Sequence, residues 1–465
     1  MPLRRQRVVR AGGAALVILL PLCCNPLAAE PFEPAKVTLF LDTTLALALL
    51  SLVGIGLERK ARSPLAVLRS PRAWGGALAL PTLLYAATLA LATAIAPDPG
   101  RSLWGTPDQP RGLMTLLGLI AFFALVADAL RTRGQSEHLV TAALLGSVPV
   151  VTYGLAQFLG LDPLPWLSDS LSPVLSTLGR SNFLGAYLAM LIPLTLSRVV
   201  GARGSPWLWR YAIVLGLQVL CLWLTLARGA WLGFLGGSLV FLGLLAGRWR
   251  QRALGVACIL LLLLGGGLYP AMSALPTLRQ AHTGVAHGMP GPGVPLADIR
   301  EASVGARLAI WRGTLHLVGE RWLLGYGPGT FAEIFAAHRP ADLAHYQGPD
   351  VVVAHPHNLL LDQLASAGVA GLAAFLAVVA AFYRVALGAF RQVSDRPAQA
   401  TTAALLGSGT AFLIQAQFNP DVIVLSFFFW LVLALAVAAA RWAQAGQHAA
   451  CQEPPHSTRG SRLEG

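Results

Sequence analysis

The feature that most restricts this chain is a repeated one: apolar stretches of about twenty residues, each followed by a short basic or Gly/Pro-rich break. They fall at 11–29, 37–57, 74–96, 112–130, 138–160, 181–198, 207–227, 229–247, 253–272, 357–383, 400–418 and 421–441. A helix of that length covers the ~30 Å hydrocarbon layer of a bilayer. Inside lipid every backbone N–H and C=O must be paired within the protein, which leaves helices or a closed barrel. Barrel strands are half as long and alternate in polarity, a pattern this chain lacks. It is therefore read as all-α and polytopic, with twelve transmembrane helices. With 55% hydrophobic and only 12% charged residues, 465 residues do not make a water-soluble domain. The first block follows Arg4, Arg5, Arg7 and Arg10, and with Pro21 and Pro26 it also fits a signal peptide ending near Ala28 or Ala29.

The net charge of +13 does not point to nucleic acid, because the basic residues are dispersed among the breaks and set topology there. With the N-terminus in the cytoplasm, the inner breaks hold clusters such as Arg59, Lys60, Arg62, Arg69 and Arg72, or Arg248, Arg250 and Arg252. The short outer breaks hold only Lys36, Arg101, Arg111, Arg180 and Arg228. This bias sets the expected alternation and an even number of spans. The five cysteines make neither a disulfide framework nor a CxxC site.

The expected organisation is helices 1–9 over residues 1–272, one large extracytoplasmic loop over 273–356, helices 10–12 over 357–442, and a polar, disordered cytoplasmic tail over 443–465. The loop carries six of the ten histidines, His282, His287, His316, His338, His345 and His355. Its stretch HTGVAHGMPGPGVP is expected to be irregular. From Ser303 onward Leu308, Trp311, Leu315, Val318 and Trp322 share one helical stripe with Arg307 and Arg312 at its rims, as in a helix lying in the headgroup layer.

At the mouth of the tenth span the chain reads HPHN, His355 to Asn358. Taken alone, this is a polar turn whose side chains cap a helix N-terminus. Beyond it Ala365, Ala367, Gly368, Ala370 and Gly371 form a small-residue face suited to close approach by another helix. A zinc site at His355 and His357 lacks a third and fourth ligand at useful spacing, and no Asp-x-Asp pair occurs to present Mg²⁺. No metal and no cofactor are expected. Arg228 stands between two apolar blocks with almost no polar loop, and Arg307 at a helix rim; for both, a snorkelling anchor is the plain reading.

The spacing His357-Asn358, nine residues, Gly368, two residues, Gly371 resembles the signature of the O-antigen ligase and O-antigen polymerase superfamily. LTLARGAWLG around Arg228, LLGYGPGTF over 323–331, GRSNFLGAYLA from Gly179, and the large outer loop between spans nine and ten resemble further parts of that family. Arg307 is followed by Trp311 where family ligases often have leucine, and Trp322 stands where proline is common.

The resemblance implies a glycosyltransferase of the bacterial inner membrane with its site facing the periplasm. It would move an undecaprenyl-diphosphate-linked glycan onto lipid A-core, or onto a growing glycan chain in a polymerase. His357, Arg228 and Arg307 match the family's catalytic positions, the arginines for the diphosphate and the imidazole as general base. Arg180, Asn182, Arg312 and Asn358 are candidate substrate-binding residues around the same cavity. Arginine suits diphosphate because it is permanently charged and bonds two oxygens at once. A twelve-helix transporter or flippase would show two related six-helix halves, and no such repeat is found; a non-catalytic scaffold would not need Arg228 or His357.

Overall fold

Most of the expected apolar blocks are helices in the structure, a computed structural model that describes residues 2–58, 75–164, 172, 174–249, 296–348 and 351–452. The first half contains α1 (Pro2–Leu19), α2 (Glu33–Glu58), α3 (Ala79–Ala94), α4 (Pro99–Trp104), α5 (Leu113–Ala129), α6 (Arg133–Phe158), α7 (Ser181–Gly201), α8 (Trp207–Leu224) and α9 (Arg228–Trp249). The second contains α10 (Leu296–Glu320), α11 (Phe331–Ala337), α12 (Leu343–Gln347), α13 (Leu359–Gln392), α14 (Arg396–Gln415) and α15 (Ile423–Gln452). There is no strand among the described residues. Among the described residues, eight helical segments are long and apolar enough to cross a membrane, and α5 is a shorter apolar one. The block expected at 253–272 and the Gly/Pro-rich stretch after His282 lie outside the described residues.

Boundaries follow local chemistry. Thr132 and Gln135 form a capping box that starts α6. Asp395 accepts from the Ala398 N–H to start α14, with Pro397 in its first turn. The expected first block is displaced: α1 begins at Pro2 and stops at Leu19, just before Pro21, which cannot continue a helix. Its basic end is held by the far end of α5, where Arg5 pairs with Asp128 at 2.6 Å and Arg10 donates to the Ala129 carbonyl at 3.0 Å. Asp128, which has no opposite charge within its own span, is shared between Arg5 and Arg131, which follows α5 and pairs with it at 2.5 Å. At the other end α15 runs on to Gln452, past the expected start of the tail.

Helix α15 is the hub of the core. Phe427, Phe428 and Phe429 are buried on successive faces, with Phe412 of α14 stacked on Phe429 and Phe122 of α5 tilted against Phe427. Beside it α7, α9 and α14 pack together, and the α9–α14 crossing depends on missing side chains. A Cβ on Gly233 would stand 2.7 Å from the Ala411 carbonyl, and one on Gly237 would stand 2.5 Å from that of Gly407. With no hydrophobic drive between helices in lipid, such backbone approach supplies the attraction. It also fixes the height of Arg228, the first residue of α9.

The small-residue stretch of α13 works differently from the expected helix-docking face. Gly368 has φ +63° and ψ −165°, so α13 is broken there. The segment 322–327 fits into the break: Tyr326 and Gly327 N–H donate to the Ala365 and Ser366 carbonyls at 2.9 Å, and Val369 N–H donates to the Trp322 carbonyl at 2.8 Å. A Cβ on Gly368 would lie 2.3 Å from Leu323 backbone. LLGYGPGTF is thus a docking turn that satisfies the broken helix. We expect Gly368→Ala to destabilise the protein by more than the ~1–3 kcal/mol of a left-handed non-glycine residue, since the clash adds to it; a thermal midpoint in detergent equal to wild type would contradict this.

The stripe on α10 is also divided. Leu308 and Leu315 are more than half exposed, as is Trp322 in the turn just past α10, whereas Val318 is buried and Trp311 is partly buried, turned toward the HPHN turn. The buried face is Ala306, Ile310 and Leu317, packed on Phe335 and Leu343. Leucine and tryptophan left exposed on and just past a helix beside a bundle are suited to headgroups and acyl chains.

Candidate active site

The HPHN turn is held from three sides. Trp311 of α10 donates its indole N–H to the Pro356 carbonyl at 2.9 Å. Leu359 N–H donates to Ala416 at the end of α14 at 2.8 Å. Asn358 caps α13, accepting from Leu361 N–H at 3.1 Å and donating to the Gln417 carbonyl at 3.3 Å. Asn358 therefore does what the plain reading of the turn requires, and its amide is engaged within the protein.

His357 is forced into an uncommon backbone conformation, φ +53°. Among the described residues only Ser176 and Leu226 share positive φ without being glycine. Each of the three lies within four residues of a candidate group: Ser176 before Arg180, Leu226 before Arg228, and His357 itself. A non-glycine residue in this region costs about 1–3 kcal/mol and persists only where its surroundings impose it, most often at functional sites.

The side chains from these segments and from α10 form one electrostatic group. Arg307 and Arg180 both act on His357, and Arg228 acts on Arg307. Burial, then the charges of Arg307 and Arg180, push His357 down to about 4, so it is neutral at neutral pH. Burial and the neighbouring Arg228 lower Arg307 as well. Among the described residues no carboxylate pairs with Arg228 or Arg307, so two like charges converge there. Such a place favours a polyanion.

The remaining candidates separate. Asn182 lies in the first turn of α7, next to Arg180, and is partly buried. Arg312 does not join the group; both carboxylate oxygens of Asp342 accept from it, at 2.7 and 2.6 Å, on an exposed surface. One turn beyond Arg307 on α10, it holds α12 in place.

A cavity reaches the turn at His355, unforeseen from the sequence; His357, Arg180, Arg228 and Arg307 are not among its lining residues. It has a volume of about 290 Å³ and is lined by Tyr85, Arg111, His355, Asp362, Gln363 and Asp421 among others. Arg111 pairs with Asp421 at 3.4 Å, both largely buried. Burial raises Asp421, while Arg111, the Ser426 hydroxyl and the Val422 N–H hold it back. Its Oδ1 has no hydrogen-bond partner among the described residues. Tyr85 donates to Gln363 at 2.9 Å. His355 is lowered well below its usual value by burial, then by Arg111, His357 and Arg180. It thus feels both the charge that lines the cavity and the cationic group around His357. The signal available in sequence was Arg111, a rare outer-loop cation at the mouth of an apolar block, and the carboxylate in Asn-Pro-Asp at 419–421.

A model of the family described as O-antigen ligase matches residues 211–376, which run from α8 through the break in α13. The segment contains Arg228, Arg307, the docking turn and His357, but neither Arg180 nor the Arg111–Asp421 pair. No curated protein sequence matches the chain.

Proposed function

From a multi-pass membrane protein whose residues 211–376 belong to the O-antigen ligase family, we propose an enzyme that transfers a glycan from undecaprenyl diphosphate to an acceptor hydroxyl. The observation that carries this reading is the convergence of Arg228 and Arg307, neither paired with a carboxylate among the described residues, beside the neutral imidazole of His357. The positive-inside pattern of the loops supports twelve spans and a site at the periplasmic face of the inner membrane.

In the proposed step the acceptor oxygen attacks the anomeric carbon as its bond to the diphosphate oxygen breaks. The acceptor proton passes to His357. Arg228 and Arg307 take up the charge that grows on the leaving diphosphate, with Arg180 beside them, and no metal is required. One displacement gives inversion. The cavity lined by Arg111, His355 and Asp421 offers hydroxyl-binding groups two residues along the chain from His357, suited to the acceptor sugar. The acceptor favoured by the family description is lipid A-core; a polymerase would use a growing repeat-unit chain. Loss of a ligase leaves polymer on its lipid carrier, whereas loss of a polymerase leaves single repeat units, and a gel of the deletion strain separates the two.

Electrostatics adds a kinetic signature. A pKa near 4 makes His357 a weak base in the empty site. Diphosphate bound by the arginines offsets their charge, so imidazolium becomes easier to form once donor is present. Activity falls as pH drops through the pKa, because the protonated ring cannot accept a proton. We expect the acid limb of kcat to lie above that of kcat/KM, and Arg307→Gln to move the kcat/KM limb upward. A limb that Arg307→Gln leaves in place would contradict the assignment of His357 as base.

A further inference from the structure

Away from the candidate active site, the described part of the outer loop gathers two histidines and a carboxylate. His316 and Glu320 stand one turn apart near the end of α10, and His338 follows α11. One ligand atom from each lies within 4.8 Å of the others. His338 Nδ1 is 2.9 Å from the Ile334 carbonyl, and its Nε2 is 2.9 Å from Glu320 Oε1. A carbonyl oxygen only accepts, so Nδ1 carries the proton and donates it there. Nε2 of the neutral ring then presents a lone pair to a carboxylate oxygen, and two lone pairs at that distance repel. A cation belongs between them, either a proton or a metal ion.

From this geometry we propose that His316, Glu320 and His338 bind a divalent transition metal, zinc by the chemistry of the ligands, with water completing a tetrahedron. Two imidazoles and one carboxylate are a zinc donor set. An outer-shell partner fixes the ring, as metal-bound imidazoles usually require: the Ile334 carbonyl holds the Nδ1 proton and leaves Nε2 to coordinate. The other carboxylate oxygen of Glu320 is occupied in the same way, accepting from the Tyr326 hydroxyl at 3.0 Å. Oε1 is left for the metal.

The placement gives the ion a structural task. It would tie the last turn of α10 to the end of α11 and so close the loop between them, the one that docks into the α13 break. Tyr326 joins the two, with its hydroxyl on Glu320 and its backbone N–H on Ala365. The site is separate from the proposed transfer chemistry, and its test does not depend on that reading.

The test uses full-length protein in detergent, purified without a histidine tag, then dialysed against buffered zinc and freed of loose metal. Metal content by mass spectrometry, the visible spectrum after Co²⁺ substitution, and the thermal midpoint with and without chelator are read for wild type, His316→Ala and His338→Ala. One zinc per chain, a tetrahedral Co²⁺ spectrum and a midpoint lowered by chelator are expected for wild type. Each variant should weaken Co²⁺ binding by more than the roughly 10- to 100-fold that loss of an outer-shell partner costs. His316 is exposed, so His316→Ala keeps the test open should His338→Ala fail to fold. Substoichiometric metal in wild type, or equal metal in wild type and His316→Ala, would overturn the site and leave a protonated His338–Glu320 ion pair in its place.

Discussion

Replacing His357 by alanine is expected to cut glycan transfer by about 10²–10⁴-fold, the usual contribution of a positioned general base. The protein should still fold, because the turn that carries the imidazole is held by other groups: the Trp311 indole on the Pro356 carbonyl, the Asn358 cap, and the Leu359 amide on Ala416. Alanine at φ +53° keeps some of the backbone strain, so a His357→Gly variant is the control for folding. It should equal or exceed wild type in thermal stability and be as inactive as the alanine variant. Transfer in membranes at the wild-type rate by either variant would remove the imidazole from the chemistry.

The second large effect is expected from the arginines. Arg228→Ala and Arg307→Ala should each lower kcat by about 10²–10³-fold, the loss seen when one preorganised donor to a developing negative charge is removed. Lysine should restore only part of it, since an ammonium lacks the planar fork that bonds two phosphate oxygens. The two positions should not be equivalent in stability. Removing either charge relieves their mutual repulsion, but Arg307 also carries the larger cost of burial, so Arg307→Ala should leave the protein as stable or more so. Steady-state transfer and thermal midpoints on the same preparations check both points; a variant with normal kcat and a lowered midpoint would reassign that arginine to structure.

Much of the fold could be read from the chain because lipid imposes one rule on every span. Apolar length identified the helices, while local breakers shifted their ends, as Pro21 did for α1. What periodicity does not encode is a break whose hydrogen bonds are supplied from far away. Gly368 and Gly371 read as a smooth packing face until segment 322–327 is seen bonded to the residues around them. The candidate site was legible where a motif carried it, at Arg228, Arg307 and His357. It was not legible where chemistry is assembled across the sequence. Arg111 and Asp421 are more than three hundred residues apart, and the local signal each carries does not point to the other. His316 and Glu320 did carry a local signal, four residues apart on one helix face, but their third ligand arrives only after the docking turn. Arg312, equal to Arg307 by position on the rim, differs because Asp342 lies within its reach.

The account rests on a division of labour within one site: arginines hold the diphosphate and the imidazole takes the proton. Equilibrium binding of undecaprenyl diphosphate, with the monophosphate as reference, to wild type, His357→Ala and the Arg228→Ala/Arg307→Ala pair tests it most directly. The account predicts that His357→Ala binds the diphosphate at least as tightly as wild type while transferring almost nothing, and that the arginine pair loses the preference for diphosphate over monophosphate. Undiminished diphosphate preference in the arginine pair would contradict it.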